Sequence, residues 1–157
     1  MRNILSYQII VVDFEYAGRN PAAYDIANHF HEWTADYHCS TPHLLQHSKY
    51  PNESQRRNFY AAYLVQKHSL TSLDSARLLS LRKNTSDIDS EMSLLEEQVR
   101  AWSPASHGNW ALWGIIQARE SLLSGCDGSE DSAFDYLGYA ICRMVEFRRE
   151  LKALVVS

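Results

Sequence analysis

The run Ile9-Ile10-Val11-Val12, within Tyr7 to Phe14, constrains this chain most: it is β-branched, has no helical period and reads as a buried strand. No other stretch of the 157 residues has that character. A lone strand leaves its backbone N–H and C=O groups unpaired, so the run must pair with residues folded back near Ile4 or with chain that this sequence does not contain. The rest of the sequence has helical spacing. The expected architecture is therefore mainly α, one strand leading into about five helices.

After Gly18, Asn20-Pro21 is a helix start, with Asn as N-cap and Pro at the first helical position. Ile26, Phe30, Trp33 and Tyr37 follow at helical spacing. Pro42 and Tyr50-Pro51 punctuate a loop, and Glu53 to His68 resumes the period through Phe59, Tyr60, Tyr63 and Leu64. Leu70 to Thr85 is polar and reads as an inserted connection, with a short helix at Ala76 to Leu81. Ile88, Met92, Leu95, Val99 and Trp102 define a third helix that Pro104 must end or kink, and Trp110 to Leu123 is helical beyond it. Gly125 to Ser129 is a turn. Phe134 through Leu151 forms the last helix, with Leu137, Ile141, Met144 and Val145 on one side and a basic end suited to its dipole.

Composition excludes several classes. Lys and Arg number 15 against 19 Asp and Glu, a net charge of −4 with no basic patch, which disfavours a nucleic-acid partner. No apolar run approaches the ~20 residues of a membrane span, and the N-terminal residues lack a signal-peptide pattern, so the expected address is cytoplasmic. Cys39, Cys126 and Cys142 are odd in number and widely spaced, which speaks against a disulfide framework or a zinc knuckle. The sequons at Asn52 and Asn84 are discounted, because they matter only in a secreted chain.

Asp13 ends the expected strand, where a carboxylate reaches a ligand or metal at the mouth of a fold, although strands also end in Asp because it starts turns. Its continuation, Asp13-Phe14-Glu15-Tyr16-Ala17-Gly18-Arg19-Asn20-Pro21-Ala22-Ala23-Tyr24-Asp25-Ile26-Ala27-Asn28-His29-Phe30-His31-Glu32-Trp33, resembles the signature of the choline/ethanolamine kinases. The resemblance resumes in Tyr50-Pro51, in Ala105-Ser106-His107 with Trp110, Trp113 and Ile116-Gln117-Ala118, and in Phe134-Asp135-Tyr136 with Tyr139. It covers nearly the whole chain and favours the choline kinases proper, though the motif is shared.

The resemblance implies the C-terminal helical lobe of a protein-kinase-like α+β fold: residues 1–157 as a single partial domain, without the ATP-binding N-terminal lobe. It implies ATP-dependent phosphorylation of choline to phosphocholine, the first step of phosphatidylcholine synthesis. Choline's quaternary ammonium donates no N–H, so a site holds it by cation–π contacts and a nearby carboxylate. The spacing of Trp110 with Trp113, Tyr136 with Tyr139 and Asn28 with Glu32 puts each pair on one helical face. Aromatic stripes on helices are more often core, and for any one residue that reading is preferred. By resemblance, Tyr16, Asn28, Glu32, Tyr37, Trp110, Trp113, Phe134, Tyr136 and Tyr139 belong to the substrate pocket. Asp13 matches the magnesium-binding aspartate and Asn3 the metal-binding asparagine that closes the catalytic loop. Asp25 is expected to brace its loop, and Cys142 to sit in the core. His29, His31 and Glu32 lack the spacing of a zinc site, and His107 is a packing or capping residue.

The chain departs from the family's pattern in known places. None of its seven histidines begins a His-x-Asp triplet, and its six glycines form no phosphate-covering loop, so no catalytic residue is assigned. His43 stands where relatives place an aromatic, and Pro104 interrupts what should be a continuous helix. Mg²⁺ and ATP belong to the intact family, and the 157 residues alone are not expected to bind them or to turn over. The alternatives are a non-catalytic remnant that binds choline-like cations or partners an intact kinase, an ethanolamine kinase, and an unstable fragment; the expected partners are choline or ethanolamine and a second copy or an intact relative.

Overall fold

The computed structural model describes residues 10, 12, 16–71, 85–123 and 134–156. Helices dominate: α1 (Ala22–Glu32), α2 (Glu53–Thr71), α3 (Thr85–Leu123) and α4 (Tyr136–Val156), with one 3₁₀ turn at His47–Lys49. The mainly α expectation agrees with this. The expected strand does not: among the described residues there is none, and Ile10 and Val12, the two described members of the β-branched run, are extensively exposed at 73% and 72%. A strand requires a neighbour for its backbone groups, and no strand lies beside these two among the described residues. The remainder of Tyr7 to Phe14 lies outside the described residues. So do Asn3 and Asp13, the helix at Ala76 to Leu81, the turn at Gly125 to Ser129, and Cys126.

The helices that Pro104 was to separate are one. α3 runs through it for 39 residues, about 58 Å at 1.5 Å per residue. An interior proline forfeits one hydrogen bond and crowds the carbonyl four residues back, costing ~3 kcal/mol. Here Pro104 is buried between Ser103 and Ser106 where α3 lies on α1 and α4, and that packing holds the backbone helical on both sides. α1 is shorter than its period implies. It ends at Glu32, where the Thr34 N–H and hydroxyl both close onto the His31 carbonyl at 2.9 and 2.6 Å, so Trp33 and Tyr37 stand beyond the helix.

Local chemistry explains the helix starts. Pro21 is the N-cap of α1, one residue later than expected, and the Asn20 amide donates to Asp25 Oδ1 at 3.0 Å, bracing the entry. Asn52 and Gln55 form a reciprocal box: the Gln55 N–H donates to Asn52 Oδ1 at 3.0 Å and the Asn52 N–H to Gln55 Oε1 at 2.8 Å. Asp135 Oδ1 accepts the Gly138 N–H at 2.7 Å at the start of α4. A Cβ at Gly138 would collide with that capping carboxylate.

Ala23, Ile26, Ala27 and Phe30 of α1 meet Tyr60 and Leu64 of α2 and Met92, Leu95 and Val99 of α3 in one apolar core. α4 packs along the C-terminal half of α3 in the most extensive helix contact among the described residues. Its buried face is not the apolar one. Leu137, Ile141 and Val145 are exposed at 58%, 58% and 55%, while Tyr139, Ala140, Arg143 and Glu146 are buried. Gly114 allows the close approach: a Cβ there would lie 3.0 Å from the Tyr136 carbonyl and 3.1 Å from the Ala140 Cβ and the Tyr139 ring. Gly114→Val, which adds three carbons at this contact, is expected to destabilise the chain by about 1–3 kcal/mol and lower its thermal midpoint by several degrees, measured by circular dichroism.

Candidate functional site

The floor of a cavity of about 650 Å³ is laid where the end of α1 meets the midpoint of α3 and the start of α4. Its lining is Tyr16, Asn28, Glu32, Tyr37, Trp110, Trp113, Phe134, Tyr136 and Tyr139. The structure thus brings all nine residues of the expected substrate pocket around one space. Asp13 and Asn3, the expected metal residues, lie outside the described residues.

The wall is a mosaic of rings set edge to face. Trp113 stands 5.5 Å from Trp110, 5.6 Å from Tyr136 and 5.9 Å from Tyr139 between centroids, with interplanar angles of 77°, 72° and 80°. Phe134 lies 5.1 Å from Tyr136 and 5.6 Å from Tyr139, and the Trp113 indole N–H donates to the Tyr16 hydroxyl at 3.1 Å. Such rings offer negative π faces to a cation while excluding water.

The polar atoms of the floor are already engaged. Arg143, with no exposed surface, donates from Nε to the Tyr139 hydroxyl at 3.0 Å and from Nη2 to Glu32 Oε1 at 3.3 Å. The Tyr37 hydroxyl donates to Glu32 Oε2 at 2.9 Å. Burial and the Glu32 charge beside it push the Tyr37 phenol well above its ordinary value, so it remains the donor. Asn28 Oδ1 accepts the Trp110 indole N–H and lies 3.0 Å from the Ser106 hydroxyl.

Behind the floor the network continues. His31 stacks on His107 at 3.8 Å between ring centroids and bonds through Nδ1 to Ser106 Oγ at 3.1 Å and through Nε2 to Ser103 Oγ at 2.9 Å. The Ser103 hydroxyl donates in turn to Glu150 Oε2 at 2.6 Å and the Ser106 hydroxyl to Asn28 Oδ1 at 3.0 Å, so the network runs from α1 through α3 to α4. Burial raises the Glu150 carboxyl, but hydrogen bonds from His107 and Ser103 outweigh it and hold the group below the usual value. His31, His107 and Glu150 offer ligand atoms within 4.8 Å of one another. Arg143 Nη1 lies 3.5 Å from His107 Nδ1, however, and this positive charge opposes a second cation on the same imidazole. These residues line a separate cavity of about 400 Å³ with His47, Tyr50 and Arg100.

The other sequence candidates have plainer surroundings. His29 stacks on Phe59 at 5.2 Å and accepts the Trp33 indole N–H at 3.3 Å. His43 faces Asp135 at 3.8 Å. Cys142 is half-buried rather than core, and its thiol is free, as is that of Cys39. Sequence reasoning passed over Arg143, Ser106 and the part His31 plays. The one available signal was Arg143 itself, the only charge between Leu137 and Val145, four residues after Tyr139.

Burial, followed by the neighbouring His107, lowers the His31 pKa to about 3 from the usual 6.5. The sign follows from linkage. Above pH 6.5 the histidine is neutral folded or unfolded and its contribution is complete; between pH 6.5 and about 3 only the unfolded chain takes the proton. Stability is therefore expected to fall as pH drops through that window, by up to about 1.4 kcal/mol per unit from this group. Denaturant titrations across the window should show this slope, and His31→Gln should flatten it.

The model of the choline/ethanolamine kinase family matches residues 1–148. The chain is 44% identical over 163 aligned positions to a choline kinase of Schizosaccharomyces pombe, covering 84% of this chain and 35% of that protein. It is 36% identical over 139 to a probable choline kinase of Arabidopsis thaliana, covering 88% and 33%, and 31% identical over 148 to a human ethanolamine kinase, covering 92% and 27%. It thus spans about a third of the length of the curated relatives it matches. With the match running from the first residue through most of α4, the chain belongs to the choline/ethanolamine kinase family.

Proposed function

We propose that this chain supplies the cation pocket of a choline kinase, an enzyme that transfers the γ-phosphoryl group of ATP to choline's hydroxyl. The observation that carries the reading is the aromatic cavity between α1, α3 and α4. Five rings from two helix faces and one loop, with Glu32 at the floor, line a space whose aromatic wall suits a trimethylammonium group. Tyr16 and Tyr37, the most exposed lining tyrosines at 65% and 54%, form the rim through which the hydroxyl end would remain accessible.

The chemistry of transfer draws on other parts. In this reading Asp13 and Asn3 would hold Mg²⁺, which neutralises charge on the ATP phosphates when bound. They lie outside the described residues, so the pocket residues carry the argument: they bind and orient the alcohol and keep water from the ammonium. The sequence holds no His-x-Asp triplet, and the reading assigns binding rather than turnover to these 157 residues.

Two outcomes are expected. Titration of choline into the 157-residue chain quenches tryptophan fluorescence, because two of its four tryptophans, Trp110 and Trp113, line the cavity. Trp113→Leu weakens binding about tenfold, the size of a desolvated cation–π contact. Glu32→Ala weakens it more, since it leaves the Arg143 guanidinium uncompensated at the floor. Absence of quenching by a chain with native helical circular dichroism would overturn the reading. The second expectation concerns transfer: the pure chain forms no phosphocholine from ATP, and its appearance in a radiolabel assay would refute that division.

A further inference from the structure

We propose that the second cavity, behind the floor of the aromatic one, binds a small organic phosphate monoester through Arg100 and Arg149. The inference is independent of what the aromatic cavity holds.

This cavity of about 400 Å³ is enclosed by the start of α2, the middle of α3, the end of α4 and the connection from α1 to α2. Its volume is in the range of small-molecule sites. Glu96, Arg100, Ser103 and His107 recur at helical spacing and lay one face of α3 along it. The deep wall is closed chemically, because His31 bonds to Ser103 and Ser106 and Ser103 bonds to Glu150. The free binding capacity lies nearer solvent.

Five charged side chains line the space: Arg56, Arg100, Arg149, Glu96 and Glu150. The two acids are matched. Glu96 takes Arg56 Nε on both oxygens at 3.1 Å and Nη2 at 2.9 Å, and Arg56 Nη1 donates to the Pro51 carbonyl at 2.8 Å, so that guanidinium is fully engaged. Glu150 accepts the Ser103 hydroxyl at 2.6 Å and faces His107 Nε2 at 3.7 Å. Two arginines are left over. Arg100 is exposed and has no hydrogen bond or ion pair among the described residues. Arg149, 59% exposed, places Nη2 2.6 Å from Glu146 Oε2 and 3.7 Å from Glu150 Oε1, yet that Glu146 oxygen has no aligned hydrogen bond. Three cations against two anions leave the lining with one positive charge, and the N–H groups of both guanidiniums are open to a ligand.

A guanidinium presents five N–H donors in a planar fork that meets phosphate oxygens two at a time. Two such forks suit a dianion with three terminal oxygens better than a carboxylate with two. The rest of the accessible wall is apolar, from Leu45, Ala153, Leu154 and the ring of Tyr50. A carbon body attached to the phosphate loses water against that wall, which favours an organic ester over inorganic phosphate.

The test uses phenyl phosphate and inorganic phosphate, titrated by calorimetry into the 157-residue chain, with circular dichroism to establish the helical content of each variant. Phenyl phosphate is expected to bind saturably at one site, and inorganic phosphate about tenfold more weakly, since it has no body to bury. Arg100→Gln and Arg149→Gln are each expected to weaken phenyl phosphate about tenfold, the scale of one charge-assisted hydrogen bond. Arg119→Gln, which removes an exposed arginine of α3 outside the cavity, is expected to leave it unchanged. A folded chain that binds neither anion overturns the proposal, as does an affinity that survives both cavity substitutions. A loss in Arg119→Gln equal to theirs marks general attraction to surface charge and overturns it too. Equal affinities for the two anions overturn the assignment to an organic ester.

Discussion

A fully buried guanidinium governs the arrangement of this molecule. Arg143 cannot lose its charge, and removing it from water costs several kcal/mol unless donors find acceptors in good geometry. Its partners come from three elements: Tyr139 one turn earlier on α4, Glu32 at the last residue of α1, and His107 midway along α3. Satisfying it therefore fixes where α1 stops, how α4 is rotated and which part of α3 lies between them. Glu32 is 40% exposed, so the ion pair is discounted by solvent and its value lies in geometry more than in energy. The junction that satisfies the arginine is also the floor of the aromatic cavity.

The rotation of α4 follows from this constraint and accounts for what hydrophobic periodicity mislocates. Leu137, Ile141, Met144 and Val145 mark one side of α4 as apolar, yet Arg143 and Glu146 turn inward and Leu137, Ile141 and Val145 turn out. A moment computed from side-chain polarity has no means of knowing that a guanidinium will find a phenol, a carboxylate and an imidazole waiting. Pro104 is a similar case. Its local effect is unfavourable, but the surrounding serines and histidines bind α3 to α1 and α4, with His31 between Ser103 and Ser106, and the helix passes through. Tertiary contacts outweigh a ~3 kcal/mol local penalty.

Other parts were legible because they depend on local rules. Ile26 and Phe30, with Tyr60 and Leu64, do form the core that their spacing implies, and the position of α2 follows from its period. The nine pocket positions, drawn from a family motif, converge on one cavity because pairs three or four residues apart share a helical face and the motif ties those faces together. The β-branched run was misread because strand formation is a property of pairs. Ile10 and Val12 have strand chemistry, and among the described residues no strand accompanies them. Arg143 showed only as a lone charge one turn after Tyr139, because its other two partners lie 36 and 111 residues away.

The pocket owes its shape to interactions that do not involve a ligand. Trp113 is held by three neighbouring rings and by Tyr16, Trp110 by Asn28, Tyr139 by Arg143, and Tyr37 by Glu32. These rings are held by neighbouring side chains alone, without a ligand. Rigidity is graded. Tyr139 is 5% exposed on α4, whereas Tyr16 and Tyr37 stand on non-helical backbone before and after α1 with more than half their surface in water. The floor is buried and the rim exposed, and the rim's two tyrosines are anchored through hydroxyls to Trp113 and Glu32 on α3 and α1. The hydrogen bonds that hold the rings in place are thus the same ones that tie α1, α3 and α4 together at the floor.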